Sequence, residues 1–81
     1  MNPLDQRILA ERCLLSAQIE TGTKGQVVER SYTQRLIRDK KASITVRNKT
    51  DGSKSDIYCV FRDGELRSLN VDTKWIELKK N

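Results

Sequence analysis

The apolar pattern of this chain changes period once, near Ala42, and this switch confines the fold to a helical first part followed by strands. Asn2 is a candidate helix cap, Pro3 suits the first helical position, and Asp5 lies in the first turn, where a carboxylate favours the helix dipole. A helix is therefore predicted from about Pro3 to Glu20, ended by Gly22 within the flexible run Thr21 to Gly25. At about 100° per residue, Leu4, Ile8, Leu15 and Ile19 form one stripe, while Leu9, Ala10, Cys13, Leu14 and Ala17 form a second apolar surface on the far side. One small sheet covers one of these. The second face, with Leu9, Cys13 and Leu14, is read as a candidate protein interface, against the alternative of scattered surface leucines.

From Ala42 the period is two. Ile44 and Val46 alternate with Ser43, Thr45 and Arg47, and Thr50 to Ser53 supplies a turn before the run Ile57 to Phe61. Asp63-Gly64 is a second hairpin signal, because both residues tolerate the positive φ of tight turns. Leu69 and Val71 mark a third strand and Lys74 to Lys79 a last one, which makes an antiparallel meander of three or four strands. The run Ile57 to Phe61 is apolar throughout, so both of its faces are expected to be covered. The segment between, Gln26 to Lys41, carries Val28, Tyr32 and Leu36 at four-residue spacing and is read as helical, with a break near Ser31 to Thr33 dividing it into two short helices as an alternative. The fold class is α+β: an N-terminal helix, a basic helical segment and the meander. With no repeat or linker, and with only about 60% of the unfolded surface of so short a chain buried on folding, one small domain spanning residues 1–81 is expected.

Charge falls unevenly along the 81 residues. Residues 1–23 hold two bases and three acids, residues 24–54 nine bases and three acids, and residues 55–81 five of each, so the net charge of +5 originates in the middle third. Such a block sets up a local positive potential that attracts an acidic partner. On a helix, Arg30, Gln34, Arg35, Arg38 and Lys41 would share one face, and arginine and glutamine are the side chains that read guanine and adenine edges while lysine and arginine neutralise phosphates. Arg47, Lys49 and Lys54 would sit near the loop of the following hairpin, placed like the basic wing of a winged-helix domain. That likeness is one of layout, since no turn of helix-turn-helix spacing is present. If residues 26–33 are extended instead, a small β-barrel with an N-terminal helix is the alternative. The functional expectation is a small regulatory or accessory protein that binds nucleic acid, DNA before RNA, with ordinary solvated surface and an acidic protein partner as competing readings of the same charges. Trp75 shares its expected face with Glu77, so it is read either as packed over the core or as part of a contact surface. A protein-interaction module, including a homodimer, built on Leu9, Cys13, Leu14 and Trp75 is the rival function.

Several chemistries are set aside. Histidine, the commonest base near neutral pH and the commonest metal ligand, is absent, and no glycine-rich run continues into the Gly-Lys-Ser/Thr of a phosphate loop. Catalysis, cofactors and metal are not expected. No apolar run reaches the roughly 18 residues of a membrane span, and the first residues lack the basic and apolar regions of a secretory signal, so a cytoplasmic protein is expected. In that compartment Cys13 and Cys59 are read as buried free thiols.

Overall fold

A computed structural model describes the backbone of residues 3–33 and 39–78 and the side chains of residues 3–29 and 39–78. Helix α1 runs over Pro3–Thr21 and is followed by strands β1 (Gln26–Thr33), β2 (Asp39–Arg47), β3 (Lys54–Arg62), β4 (Glu65–Val71) and β5 (Lys74–Trp75). The strands pair antiparallel in the order β1-β2-β3-β4-β5, an open sheet with α1 laid across one face. This is the expected α+β class. Among the described residues no barrel closes and the basic segment holds no helix: Gln26–Thr33 is an edge strand and Asp39–Lys41 opens β2, where a single groove-reading helix over residues 26–41 was expected. A register shift between Val27 and Glu29 explains the misreading. It inserts a residue into the alternation, so β1 does not carry the period of two by which a strand is recognised.

Hairpin chemistry sets the rest of the register. Asp63 and Gly64, with φ of 52° and 82°, form the expected tight turn, and Asp72 and Thr73, at 50° and 70°, form another. The last strand is shorter than expected. Beyond Trp75 the chain stays against β4 through Ile76 N–H to Leu69 C=O at 2.9 Å, and Ile76 and Leu78 pack on the core.

Alternation decides which side chains enter that core. Ala42, Ile44 and Val46 of β2, Ile57, Cys59 and Phe61 of β3, and Leu69 of β4 are buried beneath α1. From the helix come Leu9, Ala10, Cys13, Leu14 and Ala17, the surface taken in the sequence as an interface, while Leu4, Ile8, Leu15 and Ile19 stand 49–65% exposed. The two faces are therefore the reverse of the expectation. Small side chains decide it, since Ala10, Cys13 and Ala17 let the helix axis approach the sheet. At the centre of the contact Cys13 and Cys59 are joined in a disulfide, Cα to Cα 5.8 Å, so they are not the free thiols expected. Arg12 closes the upper rim: its guanidinium lies 5.0 Å from the Phe61 ring centroid and donates to the carbonyl of Gly64.

Candidate nucleic-acid interface

The face of the sheet away from α1 has no second layer among the described residues, and it is here that the pairing brings polar, basic and aromatic side chains together. The outward positions of β2 and β3 alternate with the buried ones, and the ladder aligns them in rows. One row crosses the sheet from Ser43 through Tyr58 and Asn70 to Trp75. The neighbouring row on one side holds Lys41, Val60 and Ser68. On the other side lie Thr45 and Asp56, then Arg47 and Lys54. At the far edge beyond Lys41, Asp39 faces Arg62.

Aromatic geometry marks the centre of this surface. Trp75 is 64% exposed, with its ring centroid 6.4 Å from that of Tyr58 and the planes at 76°, an edge-to-face contact that holds the indole without sandwiching it. Tyr58 and Val60 are half-buried, so the outward face of β3 is partly sheltered and the inward face fully covered.

Charge on the face is of two kinds. Arg62 is neutralised: its Nε and Nη2 donate to the two oxygens of Asp39 at 2.7 and 3.1 Å, and that carboxylate holds the guanidinium pKa above its ordinary value. Arg62, Asp39, Val60, Arg67 and Ser68 line a shallow depression of about 520 Å³ at this edge, where Arg67 is also paired, 3.4 Å from Glu65. Lys41, Arg47 and Lys54 form no ion pair among the described residues. Arg47 and Lys54 are direct cross-strand partners, an arrangement of like charges that destabilises a ladder. In the row beside them Glu29 and Asp56 flank Thr45; Asp56 is engaged by the Thr45 hydroxyl at 2.9 Å, and its amide donates to Asp72 Oδ1 at 2.9 Å. In the turn beyond, Asp51 accepts from the hydroxyl and amide of Ser53, which lowers its pKa below the ordinary 3.8.

Of the basic residues singled out in the sequence, the sheet places Lys41, Arg47 and Lys54 on one face, with Lys49 exposed in the β2–β3 turn at the end of that face. Arg30 is placed by its β1 register opposite Ile44, and Gln34, Arg35 and Arg38 lie outside the described residues. Leu9, Cys13 and Leu14 are buried under the sheet and belong to the core. Trp75 is at the surface. Tyr58, within the run Ile57 to Phe61 whose two faces were both expected to be covered, belongs to this open face, and the signal for it was present: it stands one residue out of phase with Ile57 and Cys59. Among the described residues no three His, Cys, Asp or Glu side chains gather as a metal site. Among the described residues no helix is long and apolar enough to cross a membrane. No protein-family model matches the chain, and no curated protein and no solved structure is significantly similar to it.

Proposed function

We propose that this chain is a small nucleic-acid-binding protein, regulatory or accessory, that acts by binding and not by catalysis, through the helix-free face of its sheet. The observation that carries the reading is the cross-strand pair Arg47 and Lys54, which form no ion pair among the described residues and share a face with Lys41 and two aromatic rings. Two adjacent cations cost a ladder stability on their own and are useful when a polyanion lies across them. Anisotropy of a labelled oligonucleotide, titrated at several salt concentrations, tests this. Each phosphate neutralised contributes a slope of about 0.7 to 0.9 in log K against log salt, so Arg47→Ala with Lys54→Ala is expected to reduce the slope by about 1.4 to 1.8. Undetectable binding at low salt, or a slope unchanged in the double variant, refutes it.

A cytoplasmic protein was expected to keep Cys13 and Cys59 as free thiols, and the bond between them does not fit a reducing compartment. A compartment that oxidises thiols fits the bonded core better.

One observation favours a second reading, self-association through α1. Leu4, Ile8, Leu15 and Ile19 are all exposed, and their spacing is symmetric about the midpoint between Glu11 and Arg12, so an antiparallel second copy sets Leu4 against Ile19 and Ile8 against Leu15. The interface proposed from sequence thus moves to the opposite side of the helix.

A further inference from the structure

We infer that the helix-free face takes single strands in preference to duplex, with one base stacked on Trp75; this deepens the nucleic-acid reading above and rests on it. The width of the sheet is the first reason. Five strands at about 4.8 Å spacing span about 19 Å, whereas the major groove of B-form DNA is about 12 Å wide and admits a helix or a two-stranded ribbon. A surface this broad does not enter the major groove of an undistorted duplex. A single strand can turn its bases onto the sheet.

The second reason is the arrangement of side chains along the face. Trp75 is a large, mostly exposed ring held from one side by Tyr58, which leaves it able to take a base. Its row continues through Asn70 and Ser43, an amide and a hydroxyl that can donate to or accept from a base edge. Cations flank this row on both sides. Lys41 lies one strand over and two residues along from the position opposite Tyr58, about 8 Å away, and Lys54 is four residues along β3, about 13 Å away. Phosphates at these two places leave the aromatic row for bases.

Asp56 sharpens the assignment. Its carboxylate lies between the aromatic row and the Arg47–Lys54 pair, where it repels a phosphate and accepts a hydrogen bond from a donor. The exocyclic amine of a base and the ribose 2′-hydroxyl are such donors, so the backbone crosses the face at its two ends and presents base or sugar at Asp56.

Trp75 is the only tryptophan in the chain, so intrinsic fluorescence reports this one position. Titration of the full-length protein with 12-nucleotide oligo-dC, oligo-rC, oligo-dT and a 12-base-pair duplex is expected to quench that fluorescence with the single strands and leave it nearly unchanged with the duplex. Trp75→Ala is expected to weaken single-strand binding by about 5- to 150-fold, and Trp75→Phe to recover most of it. Asp56→Asn should reduce the preference for oligo-dC over oligo-dT if a base amine is the donor, and that for oligo-rC over oligo-dC if the sugar hydroxyl is. Duplex bound as tightly as single strand, with no quenching, overturns the inference while leaving nucleic-acid binding intact. Absence of binding to all four probes at low salt overturns both. Because the quenching is read on the unaltered protein, a variant that fails to fold does not shield the inference.

Discussion

Breaking the bond between Cys13 and Cys59 is the perturbation with the largest consequence that the structure allows to be worked out. The bond closes a loop with a sequence separation of 46 and joins the middle of α1 to the central strand of the sheet. Restricting the unfolded chain in this way corresponds to about 4 kcal/mol on the loop-entropy relation. A domain of this length has a total stability of about 4 to 12 kcal/mol, so reduction is expected to remove between a third and nearly all of it. In thermal terms the loss is roughly 15 to 30 °C in Tm, at 4 to 8 °C per kcal/mol. The measurement is guanidinium denaturation followed by circular dichroism, on oxidised protein and on protein reduced while unfolded and refolded under reductant. Reduced wild type is the better comparison, because Cys→Ala also removes sulfur from a core where both positions are fully buried. The bond itself is checked by mass: alkylation of the unfolded, unreduced chain should add nothing. Two adducts on that sample, or coincident denaturation curves, would refute the reasoning.

Two further predictions concern the backbone and the helix. Gly25 has φ of 148° and lies against the backbone of Arg47, where an added Cβ has no room, so Gly25→Ala is expected to cost more than about 1 kcal/mol in chemical denaturation; Gly52→Ala, which meets open space, should cost less. If α1 pairs with a second copy, sedimentation will show a mass that rises with concentration, and Leu15→Glu with Ile19→Glu will abolish the rise without lowering Tm; a wild type that stays monomeric at every concentration ends that reading.

Much of the fold was legible because local chemistry and global arrangement agree. Pro3, Asp5 and Gly22 delimit α1, and Asp51-Gly52 and Asp63-Gly64 fall in the two hairpin turns expected of them. What was not legible has three physical causes. The bulge at Val28 interrupted the alternation of β1, and the accidental spacing of Val28, Tyr32 and Leu36 then imitated a helix. On α1 the two apolar faces are similarly hydrophobic, and only the small side chains of Ala10, Cys13 and Ala17 separate the one that packs. Sequence distance hid the remaining relations: Cys13 meets Cys59, and Trp75 reaches Tyr58, only after the meander has folded. The basic residues were found as a block, but the face shared by Lys41, Arg47 and Lys54 comes from strand alternation and not from a helical stripe.

The disulfide and the uncovered face belong to one argument. A sheet of five strands with a helix on one side buries apolar residues on that side alone, and of the outward residues of its central strand only Tyr58 and Val60 are half sheltered. A larger domain would add a second layer and gain its stability there. Here the covalent link contributes about 4 kcal/mol from within the single layer, several times the cost of a like-charged cross-strand pair, which is of order 1 kcal/mol or less. The chain can therefore keep Arg47 beside Lys54 and leave Trp75 in solvent without losing its fold. Those are the features a binding surface needs, and without the bond they would fall on a domain with little stability to spare.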